Sequence, residues 1–192
     1  MREWVLLNPG PANTTASVRQ ALVMPDLCHR EPECFEMMRG VRERLVRLAG
    51  AGEAFSAVLL TGSGTAGVEA VLASAVPREG ALLVVDNGVY GDRMARIARA
   101  HRIPVHVIAR DMTIPIDPAE VEAALVRYPD LSHVAMVHHE TTTGLLNPLA
   151  AVAEVVARHG RRLVVDATSS LFGEPLDVAQ EGIDFVTASA AK

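Results

Sequence analysis

Leu163-Val164-Val165-Asp166, a short apolar run that closes on a carboxylate, decides how this chain is read. A run of this kind reads as a strand buried in a parallel sheet. Open α/β sheets hold their ligand-facing residues at the carboxyl ends of the strands, which is where Asp166 stands. The same signature recurs outward at Ala57–Leu60, Ala81–Asp86, Val105–Ile108, His133–His138 and Asp184–Thr187. Between these runs lie segments with helical periodicity, at Val41–Ala49, Ala66–Ala75, Asp92–Ala100, Pro118–Arg127 and Leu149–His159. Asp117-Pro118 is a helix start and Gly160 a helix stop. The alternation predicts an α/β architecture, a mainly parallel sheet flanked by helices.

Residues 1–40, rich in Pro, Asn, Thr and Cys, read as an N-terminal arm with a helix near Thr15–Val23, and residues 41–192 as the sheet domain. Such an arm reaches a neighbouring subunit or covers a site. With 192 residues, 49% of them hydrophobic and 21% charged, the chain can bury a substantial core. Its net charge of −5 provides no basic field for nucleic acid or an anionic membrane. Cys28 and Cys34 are too close to staple a large fold and read as free thiols. No apolar run spans a bilayer and Met1-Arg2-Glu3-Trp4 is no signal peptide, so a cytoplasmic protein is expected. A helix would normally follow and cover the last strand, so the polypeptide reads as part of a longer one.

Three places carry chemistry. Gly62-Ser63-Gly64-Thr65 precedes an apolar-periodic helix, where backbone N–H groups and hydroxyls can hold a phosphate. A tight turn with a Ser or Thr cap is the structural alternative. Gly62, Gly64 and Gly67 also match the spacing of a dinucleotide-binding turn, with Asp86 at the distance of its acidic partner. Asp166 is either a solvated carboxylate or the partner of a protonated pyridine nitrogen. Lys192, behind Ser189-Ala190-Ala191, is either a solvated tail or an amine packed closely enough to act as a nucleophile and base. Tyr90, after a strand end, suits a planar group or the core. His138 and His139 point to opposite faces of a strand, so no metal is expected there. The threonines after them suit a ring hydroxyl or a phosphate. Phosphate turn, strand-end carboxylate and lysine follow one another in the order of the anchors of a pyridoxal phosphate enzyme.

The chain resembles the class V aminotransferases of fold type I, and within them the branch that transaminates aminoethylphosphonate with pyruvate; alanine–glyoxylate aminotransferases are more distant. The resemblance runs through Leu6-Leu7-Asn8-Pro9-Gly10-Pro11, Gly62–Thr65, Val68-Glu69-Ala70-Val71-Leu72, Asn87-Gly88-Val89-Tyr90-Gly91, Met136–Gly144, Val165-Asp166-Ala167-Thr168-Ser169-Ser170 and Lys192. It implies the large, cofactor-binding domain of fold type I, with the C-terminal small domain and its carboxylate-binding arginine missing from these residues. A piece without that domain is expected to be inactive or unstable. The resemblance further implies pyridoxal 5'-phosphate held by Ser63, Gly64 and Thr65, Tyr90 near the ring, Thr142 or Thr143 on the ring oxygen, Asp166 on the ring nitrogen and Lys192 in the Schiff base. Asn8, Pro9 and Gly10 would line the substrate entrance. His29 and Arg30 depart from the family pattern and suit a phosphonate dianion, or else a salt-bridged loop with Glu31 and Glu33. An amino donor, a 2-oxo acid acceptor and a homodimer are implied. A lyase acting on a hydroxylated aminophosphonate and an alanine–glyoxylate-type transaminase are the alternatives within this cofactor class, and a dinucleotide-dependent oxidoreductase outside it.

Overall fold

The computed structural model describes residues 4–192. Met1–Glu3, on which the signal-peptide expectation partly rests, lie outside the described residues. Five parallel strands, β1 (Ala81–Asp86), β2 (Val105–Ala109), β3 (Leu131–Val137), β6 (Arg162–Asp166) and β7 (Phe185–Thr187), form one sheet in the order β2-β1-β3-β6-β7. A short antiparallel pair, β4 (His139–Glu140) and β5 (Leu145–Leu146), stands beyond the end of β3. The helices are α1 (Ala16–Ala21), α2 (Pro32–Leu48), α3 (Gly64–Ala75), α4 (Val89–Ala100), α5 (Pro118–Arg127) and α6 (Leu149–Arg158).

Period-two alternation sends successive strand side chains to opposite faces. Leu83, Val85, Val134, Met136, Leu163 and Val165 join α5 and α6 in one core. Leu82, Val84, Ala135, Val137 and Val164 join α3 and α4 in the other. Continuous apolar strands are therefore buried on both faces, each Leu or Val contributing about 1.5–3 kcal/mol. Asp117 caps α5 by accepting from the Ala119 N–H at 2.9 Å, with Pro118 opening the helix. Gly160, at φ 62°, turns the chain after α6 in a conformation that suits glycine.

The connection leaves β1 for β2 on one side and returns to β3 on the other, so the path reverses between β1 and β3. Such a switch point opens a crevice at the strand ends. A buried amide pair braces it. Asn87 donates to Asn147 Oδ1 at 2.7 Å and Asn147 donates back to Asn87 Oδ1 at 3.2 Å and to the Val137 carbonyl at 2.9 Å.

Several expected elements differ. Ala57–Leu60 forms no strand, and Val58 is 77% exposed. Its apolar composition favours extension, but a strand exists only through pairing of its backbone groups, and these residues pair with no strand of the described sheet. The helix expected at Val41–Ala49 begins at Pro32 and ends at Leu48, running across residue 40. Gly40 reads as punctuation but sits inside the helix, where it costs only about 1 kcal/mol relative to Ala. Similarly, α4 starts at Val89 rather than Asp92, which places Tyr90 in its first turn.

Candidate active site

Polar side chains gather where β6, β7, the loop after β3 and the N-termini of α3 and α4 meet. Asp166 and Thr187 are register partners on adjacent strands, so the segment leaving β7 toward Lys192 starts beside Asp166. Gly64, the first residue of α3, closes the third side. A Cβ there would lie 3.0 Å from Thr168 Oγ1 and 3.5 Å from Ser189 Cβ. Thr168 follows Asp166 by two positions and Ser189 precedes Lys192 by three, so one glycine brings the three sequence motifs together.

Ser63 caps α3, its hydroxyl accepting from the Ala66 N–H at 3.4 Å. The expected cap and the expected anion cradle are thus one structure. None of the described hydrogen bonds uses the N–H of Gly64 or Thr65. Those donors stand at the positive end of the helix dipole and suit an anion. The helix does not continue from a strand of the sheet, however, so Gly62, Gly64 and Gly67 do not open the strand–turn–helix unit that a dinucleotide turn needs. Asp86 instead ends β1 and accepts from the Gly88 N–H at 3.5 Å.

Asp166 is only 6% exposed and accepts from the Thr168 N–H at 2.9 Å. Burial lifts its pKa above the ordinary carboxylate range, against hydrogen bonding from Thr168 and the positive charges of Lys192 and Arg93. It lines a small cleft with Thr65, Val68, Tyr90 and Arg93. Lys192 Nζ donates to Ser169 Oγ at 3.1 Å and Thr141 Oγ1 at 3.2 Å and lies 5.6 Å from the centre of the Tyr90 ring. The two hydroxyls are themselves hydrogen-bonded to each other. Lys192, exposed as a residue, thereby holds its amine beside Tyr90, which lines the cleft.

The residues singled out from sequence divide. Ser63, Gly64, Thr65, Tyr90, Asp166 and Lys192 converge. Gly10 lies against the lysine stem, where a Cβ would come 2.6 Å from Lys192 Cγ, and the Ala12 N–H donates to the Ala191 carbonyl at 3.2 Å. Asn8 bonds locally to the Pro11 carbonyl, and Pro9 is exposed. Thr142 and Thr143 are exposed on the turn, Thr143 accepting from the Leu145 N–H at 3.3 Å, while Thr141 is the threonine at the lysine. His29 and Arg30 are exposed and bond to each other at 3.2 Å.

Sequence reasoning gave no role to Arg93, Ser169 or Glu140, and among the threonines it preferred Thr142 or Thr143 to Thr141. Arg93 donates to Thr65 Oγ1 at 2.9 Å, and its guanidinium lies 4.7 Å from the Tyr90 ring centre. One helical turn from Tyr90, it was legible only once that residue was placed on a helix. His138 is buried, pairs with Ser170 Oγ at 2.9 Å and is kept neutral chiefly by burial, with His139 adding to the effect. Among the described residues no group of histidine, cysteine and carboxylate side chains is arranged to hold a metal, and no helix is long and apolar enough to cross a membrane.

The sequence profile described as "Aminotransferase class-V" matches residues 14–192. A 2-aminoethylphosphonate–pyruvate transaminase of Vibrio vulnificus is 47% identical over 99% of this chain and 52% of its own length. One of Bacteroides fragilis is 42% identical over 100% of this chain and 53% of its own. The chain therefore spans about half the length of these relatives. The crystal structure of an alanine–glyoxylate aminotransferase from Nostoc sp. superposes with a TM-score of 0.92 at 29% identity, covering 100% of this chain and 50% of that one. A profile match over nearly all of the chain, on a sheet whose strand ends gather the family's expected lysine and aspartate, places the chain in the class V aminotransferase family.

Proposed function

We propose that the protein is a pyridoxal 5'-phosphate enzyme that moves the amino group of 2-aminoethylphosphonate, or a related aminophosphonate, to pyruvate. The observation that carries this reading is the meeting of α3, the end of β6 and the Lys192 segment around Gly64, where a Cβ would fill the space at Thr168. The names of the relatives, with identities of 47% and 42%, support the substrate.

The residues present fit the cofactor. Free N–H groups of Gly64 and Thr65 at a helix N-terminus, with the hydroxyls of Ser63 and Thr65, suit its phosphate. Buried Asp166 is costly as a lone anion, and a protonated ring nitrogen is the donor that would relieve it. Tyr90, its ring centre 4.7 Å from the Arg93 guanidinium and 5.6 Å from Lys192 Nζ, is the aromatic side chain at hand to pack against a ring. When bound, the cofactor supplies an electron sink and carries the amino group between donor and acceptor.

Lys192 is the covalent anchor and the base. Its Nζ, steadied by Ser169 and Thr141, moves the proton taken from the substrate carbon that bears nitrogen. Asp166 keeps the ring nitrogen protonated, and Thr141 stands where a ring oxygen could be met. Gly10 lies against the lysine stem, although Lys192 as a whole is exposed. The exposed apolar residues Phe35, Met37, Met38 and Val41 on α2 support assembly with a second copy as a homodimer.

Borohydride reduction after incubation with pyridoxal phosphate, followed by peptide mass analysis, is the direct test. A single reduced pyridoxyl phosphate on Lys192 is expected, together with amine loss from 2-aminoethylphosphonate that requires pyruvate when these residues are joined to the further half of the length that the relatives carry. Amine loss without an acceptor would establish a lyase instead, and absence of any adduct would refute the cofactor.

A further inference from the structure

Glu140 is the one carboxylate in this neighbourhood for which neither the fold nor the proposed chemistry has given a use. It is completely buried, at 0% exposure, at the end of β4, just beyond β3. Its Oε1 accepts from the Gly91 N–H at 3.1 Å, across 49 positions of sequence, and the Tyr90 N–H also acts on the carboxyl. Its Oε2 has no hydrogen-bond partner among the described residues. A fully buried acid with one idle oxygen costs stability unless its position does something.

Its position is at the N-terminus of α4. That helix begins after Gly88, which has no side chain with which to cap it. Gly88 is also the residue that admits the acid. A Cβ there would come 2.2 Å from Glu140 Cδ, so any larger residue would expel the carboxyl. The first-turn amides that lack an intrahelical acceptor are therefore met by a side chain from another part of the chain, a cap supplied by tertiary structure. Burial, with Asp166 and Asp86 adding to it, raises the pKa of this carboxyl, against the Gly91 and Tyr90 N–H groups at the positive end of the helix dipole.

Two helix N-termini of different availability result at the same sheet edge. α3 keeps the N–H groups of Gly64 and Thr65 for a ligand, whereas α4 has its own spent on Glu140. What α4 presents instead is its side chains. Tyr90 lies under Lys192, and Arg93 reaches over that ring to Thr65 on α3. Fixing the first turn of α4 thus fixes the ring-stacking residue and one hydroxyl of the anion cradle together.

We propose that Glu140 is a positioning residue of the cofactor site, a buried clamp that fastens the first turn of α4 and so holds Tyr90 and Arg93 in place for the pyridoxal ring and phosphate. The inference rests on the proposed function and adds a residue to it that acts without touching the cofactor.

The test compares Glu140→Ala, Glu140→Gln, Glu140→Met and Gly88→Ala with the wild-type protein. Three quantities are read: amide hydrogen exchange of residues 89–92 without cofactor, the dissociation constant of pyridoxal phosphate, and the visible circular dichroism of the bound cofactor. Glu140→Ala should speed exchange in that turn and weaken pyridoxal phosphate, each about tenfold, the equivalent of one lost cap. It should also reduce the dichroism of whatever cofactor remains bound. Glu140→Gln keeps the volume and an acceptor for the Gly91 N–H and should return all three readings toward the wild type, whereas Glu140→Met, which keeps the volume without an acceptor, should resemble the alanine result; a role in bulk packing alone would let both variants restore the readings. Should Glu140→Ala fail to fold, Gly88→Ala, which displaces the carboxyl rather than removing it, is read in its place with the same expectations. Unchanged exchange, or unchanged affinity and dichroism, in a folded variant overturns the role of Glu140 alone. A wild-type protein that takes up no pyridoxal phosphate overturns the proposed function, and the role of Glu140 with it.

Discussion

Replacing Asp166 with asparagine should move stability and cofactor affinity in opposite directions. The carboxyl is 6% exposed, and its Oδ1 accepts from the Thr168 N–H at 2.9 Å, a bond that asparagine keeps through its own Oδ1. Without cofactor the anion is held in a buried place where its charge is costly, and its pKa is raised mainly by that burial. The folded state therefore holds this proton to higher pH than the unfolded chain, whose aspartate titrates near ~3.9. The associated stability is full below that value and is lost as pH rises through the raised folded pKa, with a slope of at most about 1.4 kcal/mol per pH unit for one group. Asp166→Asn removes the slope, so the cofactor-free variant should be at least as stable as the wild type at neutral pH. Cofactor binding responds the other way. A hydrogen bond to a charged group contributes about 1.5–3 kcal/mol and a neutral one about 0.5–1.5, so the variant should lose roughly 1–2 kcal/mol of affinity, or ~5–30-fold. Thermal melts of the cofactor-free proteins between pH 4 and 8, paired with spectrophotometric titration of pyridoxal phosphate, read both. A variant that binds the cofactor as tightly as the wild type would refute the contact, and one that is less stable at neutral pH would refute the burial argument.

Gly64→Ala adds a Cβ 3.0 Å from Thr168 Oγ1 and 3.2 Å from its Cγ2, so Thr168 or α3 must shift. Titration should show pyridoxal phosphate weakened by roughly tenfold or more, with far-ultraviolet circular dichroism unchanged, and affinity equal to that of the wild type would sink the cradle. His138 and His133 are both held below the usual histidine range, first by burial, so the stability they support is present above about pH 6.5 and is lost as pH falls through that value toward their folded pKa values. In acid titrations followed by thermal melting, His138→Asn should flatten the decline by up to about 1.4 kcal/mol per pH unit, His133 accounting for the remainder; an unaltered slope would count against a neutral buried His138.

The sheet was legible because its strands are short apolar runs whose side chains face two cores, so composition alone marks β1, β2, β3 and β6. Asp166 and Lys192 were legible for a related reason: a carboxylate or an amine closing an apolar or small-residue segment stands out against its neighbours. Ala57–Leu60 carried the same composition without becoming a strand, because pairing depends on what lies beside a segment. The choice among Thr141, Thr142 and Thr143 turned on the β4–β5 turn, which carries only the first of them to the lysine.

By itself the sequence determined the order of most elements, the two-faced core and the three candidate anchors, since periodicity, capping and charge are local properties of the chain. Only the tertiary structure decided that Gly64 joins those anchors, that Arg93 bridges Thr65 and Tyr90, and that Glu140 caps a helix 49 positions away. Those contacts join residues far apart in the chain, and nothing in the local pattern of either partner encodes how closely the fold brings them together.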